Sequence, residues 1–182
     1  TYSEDGRLLT FVQSVQNTDG SLGVRTVYNY IWLENIPVAQ FRVRYPAICV
    51  APTCTPIDTQ LTYIHADHLY TPQMGTGYSA STQNSETKVW SIWSNAYGFA
   101  GESNDPDGDG SHVNIVLRFP GQVYYGVSTF NYNYYRDYDT LIGRYLESDP
   151  IGLYGGLNTY ANGNPLSFID PLGLDSFLGQ GC

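Results

Sequence analysis

Positive charge is scarce in this 182-residue chain, which has 8 Lys and Arg residues against 17 Asp and Glu residues. The formal net charge is −9, and charged residues make up 14% of the sequence, where roughly a quarter is usual. Nucleic-acid binding depends on clustered Lys and Arg that release counterions from phosphates. The composition therefore argues against a nucleic-acid partner.

Long apolar runs and long helical periods are also missing. No apolar stretch approaches the roughly 18 residues that a membrane-spanning helix needs, so we expect no transmembrane segment. Apolar residues do not recur at helical spacing over any long window, which disfavours long helices. No signal peptide is visible and the sequence does not begin with Met, which suggests a processed or truncated product or a fragment.

Cysteine is sparse, with three residues in the chain. Cys49 and Cys54 flank Val-Ala-Pro-Thr, and a Pro turn over this separation can bring them to disulfide distance, although the spacing leaves free thiols equally open. Cys182 would pair between molecules in an oxidising compartment and would be an idle thiol in the cytosol. We expect an extracellular, secreted or cell-surface location.

Tyrosine, glycine and proline are abundant, at 17, 19 and 10 residues. Tyr, Val and Thr favour strands, whereas Gly, Pro, Asn and Asp favour turns. Asp5-Gly6 and Glu34-Asn35 each separate strand-like runs and predict hairpins. The stretch Phe99–Ser111 is interpreted as an acidic loop. The chain has the length of one domain, and we predict an all-β fold of antiparallel strands and hairpins.

The densest stretch of Tyr, Gly, Asn and Asp-Pro runs from Phe130 to Leu174. It holds two copies of one phrase, Asp149-Pro-Ile-Gly-Leu153 and Asp170-Pro-Leu-Gly-Leu174. Each Asp-Pro begins a turn, because Pro restricts φ and the Asp side chain can bond the backbone two residues on. Each Gly then permits a left-handed residue. The repetition predicts a stereotyped backbone.

The order of short motifs along the chain resembles the C-terminal part of the RHS (YD-repeat) repeat-associated core domain of bacterial polymorphic toxins and surface proteins. The motifs that carry the resemblance are Leu61–Pro72, Asn114–Gln122, Arg136-Asp-Tyr-Asp139, Gly143-Arg144-Tyr145, Ser148–Leu153, Gly155–Tyr160, Asn164-Pro165 and Asp170–Leu174. The chain departs from the family at Tyr70, where Gly is usual. If that Gly has a positive φ, Tyr70 strains the turn.

This resemblance implies a segment of a rolled antiparallel β-shell that ends in a turn-rich C-terminal plug. It divides the chain into an RHS core-like β domain at residues 1–174 and a short tail at residues 175–182.

The resemblance also implies an aspartyl-protease-like centre of Arg136, Asp149 and Asp170, supported by Asp139, that cuts the bond between Leu174 and Asp175. Two close carboxylates share a proton, so one can activate water while the other polarises a carbonyl. A neighbouring Arg can orient a carboxylate or stabilise an oxyanion. The alternative is that the Asp-Pro pairs are only turn formers and Arg136 only an ion-pair partner.

Carboxylates at Asp105, Asp107 and Asp109, followed by Gly110, match half of an EF-hand loop. The twelfth position, which needs an acid, is Val116. We expect no cofactor and a solvated acidic loop here, with Ca²⁺ as the alternative. Clustered tyrosines after Tyr124 are interpreted as packing, with sugar binding as the alternative.

Two functions are compatible with these residues. Eight residues after Leu174 are too few for a folded toxin, so we favour an extracellular structural or assembly subunit that polymerises through strand edges or termini. The alternative is the C-terminal core of a secreted toxin-delivery protein that self-cleaves after Leu174. Enzymatic activity, if any, is limited to this intramolecular cleavage. The expected partners are other copies of the chain or the rest of an RHS shell.

Overall fold

The computed structural model describes residues 1–49, 54–126, 129–152 and 157–179. Within these ranges the regular structure is antiparallel β, with a short 3-10 turn at Ala161–Gly163 and no α-helix. The predicted fold class is therefore confirmed. None of the described residues forms a helix long and apolar enough to cross a bilayer.

The largest sheet is a seven-stranded meander in which each strand pairs with the next strand along the chain. Its strands are β1 (Thr10–Gln16), β2 (Leu22–Leu33), β3 (Ile36–Tyr45), β4 (Asp58–Ala66), β5 (Pro72–Ser79), β6 (Asn84–Ser94) and β7 (Ala100–Ser103). All neighbouring pairs are antiparallel, as in a meander of consecutive strands.

A smaller sheet follows in the order β11-β10-β9-β8, and a two-stranded ladder of β12 and β13 ends the described chain. The smaller sheet consists of β8 (Val123–Tyr124), β9 (Phe130–Asn133), β10 (Arg136–Asp139) and β11 (Arg144–Tyr145). The ladder consists of β12 (Phe168–Ile169) and β13 (Phe177–Leu178). Because β13 pairs with β12, residues 177–178 of the predicted tail lie on the domain. The boundary after Leu174 stays a prediction.

The predicted turns form where short polar residues interrupt the strands. Asp5-Gly6 closes a hairpin in which Tyr2 faces Leu8, and Glu34-Asn35 connects β2 to β3. Tyr70 has a φ of 67°, so it occupies the left-handed conformation that favours Gly.

The prediction that 99–111 is a loop throughout was wrong at its start, where β7 extends the sheet. The carboxamide oxygen of Asn95 accepts hydrogen bonds from the backbone N–H groups of Tyr97 and Phe99, at 2.9 and 3.1 Å. This turn reverses the chain, so Ala100–Ser103 pairs with the end of β6.

Two apolar clusters hold the molecule together. The first lies where the extended segment 113–117 packs against side chains of the large sheet, including Trp90, Ile64 and Tyr30. The second is mainly aromatic and consists of Phe119, Tyr138, Tyr145, Tyr160 and Ala161. The segment 113–123 therefore joins the large sheet to the smaller sheet.

The two tryptophans of β6 provide a matched test of the first cluster. Trp90 is fully buried, whereas Trp93 is 63% exposed. We expect Trp90→Ala to lower the free energy of unfolding by about 3–5 kcal/mol, because it removes a large core side chain and leaves a cavity. Trp93→Ala should cost less than about 1 kcal/mol. Urea unfolding measures both values, and equal losses would contradict this core assignment.

Candidate active site

Arg136 begins β10 and faces the interior of the smaller sheet. Its register partner is Asn133 at the end of β9. Side chains alternate along a strand, so Arg136 and Tyr138 share the buried face, while Asp137 and Asp139 share the opposite face. The hairpin therefore places the positively charged Arg136 side chain in the buried interior.

Arg136 binds both predicted aspartates. Its Nη2 lies 3.0 Å from Oδ2 of Asp149 and 3.2 Å from Oδ2 of Asp170. Its Nε donates to the carbonyl oxygen of Gly173 at 2.6 Å, and its Nη1 donates to that of Leu157 at 2.8 Å. All three charged side chains are removed from solvent. The structure thus brings together the three residues that the resemblance predicted.

Each aspartate also forms the turn that its Asp-Pro motif predicts. Oδ1 of Asp149 accepts a hydrogen bond from the N–H of Ile151 at 2.9 Å. Oδ1 of Asp170 accepts one from the N–H of Leu174 at 2.9 Å. The other oxygen of each carboxylate points to Arg136. The turn-forming role and the paired-carboxylate role are therefore carried by the same side chains.

Tyr145 and Asn133 complete the surroundings of Asp170. The Tyr145 hydroxyl donates to Oδ2 of Asp170 at 2.9 Å, and Nδ2 of Asn133 donates to the Tyr145 hydroxyl at 2.6 Å. The Arg136 guanidinium lies 3.7 Å from the centroid of the Tyr145 ring, a cation–π contact. Sequence reasoning assigned neither residue a role. Tyr145 stands in the Gly143-Arg144-Tyr145 motif, whereas Asn133 is identified only through its register with Arg136.

Burial dominates the electrostatics of this cluster. Loss of solvation raises the pKa of Asp170, and the hydrogen bonds from Leu174 and Tyr145 and the charge of Arg136 oppose the rise without cancelling it. Loss of solvation also raises the pKa of the Tyr145 hydroxyl, with the Asp170 charge adding to it. Tyr145 therefore remains a neutral hydrogen-bond donor to Asp170.

Asp139, the predicted supporting residue, is not brought into this cluster. It lies on the opposite face of β10, where its Oδ1 accepts a hydrogen bond from the N–H of Leu141 at 2.9 Å and contacts the Thr129 hydroxyl at 3.5 Å. The alternation of side chains along β10 places it away from Arg136.

The predicted scissile bond lies at the edge of the cluster. Leu174 is partly buried and Asp175 is exposed. Both line a cavity of about 440 Å³, whose other walls include Trp32, Phe119 and Phe177. The residue before this bond therefore contacts Asp170 through its N–H group, and both residues of the bond border the cavity.

Gly121 of the Asn114–Gln122 motif positions the second Asp-Pro turn. It has a φ of 84°, and a Cβ atom at this position would lie 1.8 Å from the carbonyl oxygen of Pro171. Only glycine permits this approach of the two backbones. The motif therefore docks directly on the turn that carries Asp170.

The remaining predicted residues lie outside this cluster. Carboxylate oxygens of Asp105, Asp107 and Asp109 all lie within 4.8 Å of one another. Cys49 and Cys54 lie with their Cα atoms 5.0 Å apart and are joined as a disulfide. Cys182 lies outside the described residues. The predicted tyrosine packing is seen in ring contacts such as Tyr125 with Tyr132, whose centroids are 6.1 Å apart.

Two glycines test the docking of Gly121 on Pro171. Gly121 and Gly126 have nearly the same φ, 84° and 82°, but an added Cβ at Gly126 would meet nothing within 4 Å. We expect Gly126→Ala to cost about 1–2 kcal/mol of backbone strain. Gly121→Ala should cost clearly more, because Pro171 must also move. Urea unfolding of both variants measures the difference, and equal costs would contradict the contact.

The pH dependence of stability tests the environment of Asp170. Burial raises the pKa of Asp170 in the folded state. Its contribution to the free energy of unfolding is therefore complete below the unfolded carboxyl pKa of about 3.9 and is lost as pH rises through the folded pKa. We expect the wild type to lose this contribution above about pH 4. The Asp170→Asn side chain cannot ionise, so the free energy of unfolding of this variant should not show the loss that comes from Asp170. Urea unfolding over this pH range measures it, and parallel curves would contradict the assignment.

No protein-family model matches this chain. Double-stranded DNA deaminase toxin A of Burkholderia cenocepacia (strain H111) is 28% identical over 169 residues, which cover 91% of this chain and 11% of that toxin. Toxin protein Tse5 of Pseudomonas aeruginosa is 31% identical over 132 residues, covering 71% of this chain and 9% of Tse5. The chain thus matches a small part of each relative.

Further relatives agree with these. The probable deoxyribonuclease RhsA of Dickeya dadantii (strain 3937) is 36% identical over 84 residues, covering 46% of this chain and 5% of RhsA. The crystal structure of TcdB2-TccC3-TEV has a TM-score of 0.54 at 20% identity, covering 96% of this chain and 9% of that chain, which shows a shared fold. The chain is therefore similar over most of its length to RHS-associated toxins, and the comparisons support an RHS-related β domain.

Proposed function

We propose that this chain is the core region of an RHS-type toxin-delivery protein that cuts its own backbone between Leu174 and Asp175. The observation that carries the proposal is the buried cluster in which Asp149 and Asp170 share one nitrogen of Arg136. The same cluster binds the backbone of residues 173 and 174, directly before the proposed cleavage point.

The relatives favour this function over the structural or assembly subunit. Two of them carry the word toxin in their names, and a third is named a deoxyribonuclease. Those names describe proteins of which this chain spans 5–11%, so the activities on DNA that two of the names state need not reside in the shared region. A secreted or cell-surface location and association with the rest of an RHS shell belong to this proposal.

The two carboxylates take different roles because their surroundings differ. Both carboxylates contact the single positive charge of Arg136, which cannot balance two negative charges, so ionisation of one disfavours ionisation of the other. We assign the acid role to Asp170, because burial raises its pKa. We assign the base role to Asp149, whose Oδ2 faces Arg136 at 3.0 Å and has no hydrogen-bond partner. In the proposed reaction this oxygen binds the attacking water molecule.

The reaction is hydrolysis of one peptide bond. Asp149 removes a proton from water, and the water oxygen attacks the carbonyl carbon of Leu174. Asp170 then gives its proton to the leaving amide nitrogen of Asp175 as the C–N bond breaks. The products are a carboxyl group on Leu174 and an amino group on Asp175. Arg136 stabilises the negative charge that moves through the site.

Substrate positioning is the second contribution of the cluster. The bond from Arg136 Nε to the Gly173 oxygen is 2.6 Å, and the bond from the Leu174 N–H to Asp170 Oδ1 is 2.9 Å. Both hold the segment before the scissile bond next to Arg136 and Asp170, which orients the bond for reaction. The exposure of Asp175 leaves the released amine free to move into solvent.

Intact mass spectrometry tests the cleavage. We expect purified wild-type chain to yield, over time, a species that ends at Leu174. Asp149→Asn and Asp170→Asn should each slow its formation at least about a hundredfold, because each removes a proton-transfer group. Asp139→Asn is the matched control, since this carboxylate lies on the opposite face of β10, and it should cleave at the wild-type rate.

Circular dichroism and size-exclusion chromatography show whether each variant is folded. Unchanged cleavage in folded Asp149→Asn would exclude the paired-carboxylate mechanism. An uncleaved wild type that instead forms fibres at high concentration would favour the structural subunit.

A further inference from the structure

We propose that the loop Asp105–Ser111 binds Ca²⁺. Carboxylate oxygens of Asp105, Asp107 and Asp109 converge to within 4.8 Å of one another. Ca²⁺ takes six to eight oxygen ligands, and carboxylates are its commonest protein ligands. The loop lies outside the Arg136 cluster, so this inference is independent of the proposed function.

Asp107 indicates that the cluster holds a ligand. Both of its carboxylate oxygens are shut off from solvent and accept no hydrogen bond, and the partial exposure of the residue comes from its other atoms. Burying a charged carboxylate without a partner is strongly unfavourable. None of the ion pairs among the described residues involves Asp105, Asp107 or Asp109. A cation between the three carboxylates supplies the missing compensation.

The two other carboxylates are held in place by backbone donors. Asp105 accepts hydrogen bonds from the N–H groups of Asp109 and Gly110, at 3.1 and 3.2 Å. Asp109 accepts them from Ala80 and Ser111, at 2.9 and 2.7 Å. These bonds fold the loop back on itself and orient its oxygens. Each carboxylate oxygen keeps a further lone pair for a cation.

The positions of the acidic residues within the loop indicate which cation binds and with what affinity. Acids at positions one, three and five and Gly at six follow the EF-hand order, in which position seven supplies a backbone carbonyl, here from Ser111. Position twelve is Val116, which is buried in the core and cannot ligate. Water and backbone oxygens must complete the shell, so we expect a Kd on the order of 10⁻⁴–10⁻³ M. Mg²⁺ needs a stricter octahedron and fits less well.

The loop lies between the turn that joins β5 to β6 and the buried segment that begins at Val113. Asp109 binds the Ala80 N–H, and the Ser81 hydroxyl donates to the backbone oxygen of Asp107 at 3.1 Å, so the loop holds the turn between β5 and β6. Beyond the loop the chain enters the buried segment that begins at Val113. Because a bound cation fastens this connection only in the folded state, Ca²⁺ should stabilise the whole chain.

Thermal unfolding of the chelator-stripped chain tests the site. We expect Ca²⁺ at about tenfold to a hundredfold its Kd to raise Tm by on the order of 5 °C. Asp107→Asn should abolish this rise without lowering the calcium-free Tm, because the Asp107 side chain accepts no hydrogen bond that the change would break and the change removes an uncompensated charge. Asp19→Asn is the matched control. Asp19 forms the same Asp-Gly-Ser turn, with Ser21 N–H at 2.9 Å, but belongs to no carboxylate cluster, so its variant should keep the full rise.

Three outcomes would overturn the proposal. The first is a wild-type Tm that Ca²⁺ does not change, with no binding heat in isothermal titration calorimetry. The second is an equal calcium-dependent rise in Asp107→Asn. The third is an equal rise with Mg²⁺, which would exclude a calcium-selective site. These experiments do not measure self-cleavage. If the chain does not cleave itself, the result of the calcium test is unaffected.

Discussion

The buried charge of Arg136 is the constraint on which the C-terminal half of the structure depends. One guanidinium contacts both Asp149 and Asp170 and also binds the backbone oxygens of Leu157 and Gly173. Removing one partner of a buried ion pair leaves an uncompensated charge, which is far more costly than losing a surface pair. The two Asp-Pro turns, distant in sequence, are therefore fixed to one strand by a single side chain.

Aromatic packing creates the low-dielectric surroundings that give this charge cluster its strength. Tyr138, Tyr145 and Tyr160 pack on one another, with the ring centroids of Tyr138 and Tyr160 4.8 Å apart. Phe119 stacks on Tyr160 and belongs to the same segment as Gly121, which contacts Pro171. Residues 113–117 of this segment pack against the large sheet, and Phe119 and Gly121 contact the site region. Packing of the first core thus determines where the second Asp-Pro turn lies.

Much of the fold was predictable because local chemistry specifies it. Alternating Tyr, Val and Thr predict strands, and Asp5-Gly6 and Glu34-Asn35 predict hairpins that the structure contains. At Tyr70 the sequence predicted a strained turn only on the condition of a positive φ, and the φ of 67° meets that condition. The prediction failed at β7, since a polar stretch becomes a strand only when a neighbouring strand offers hydrogen bonds. That partner is set by the Asn95 turn, which composition does not reveal.

The sequence by itself determined the antiparallel β class, the turns of the two Asp-Pro motifs and the identity of the charged residues in the candidate site. Only the tertiary structure decided which of those residues meet. Strand alternation placed Arg136 inside and Asp139 outside, and strand register brought Asn133 to Tyr145 and Asp170. Likewise, the sequence supplied three loop aspartates, but folding closed Asp107 off from water and donors. Turns and strand class depend on neighbours along the chain, whereas desolvation and pairing depend on neighbours in space.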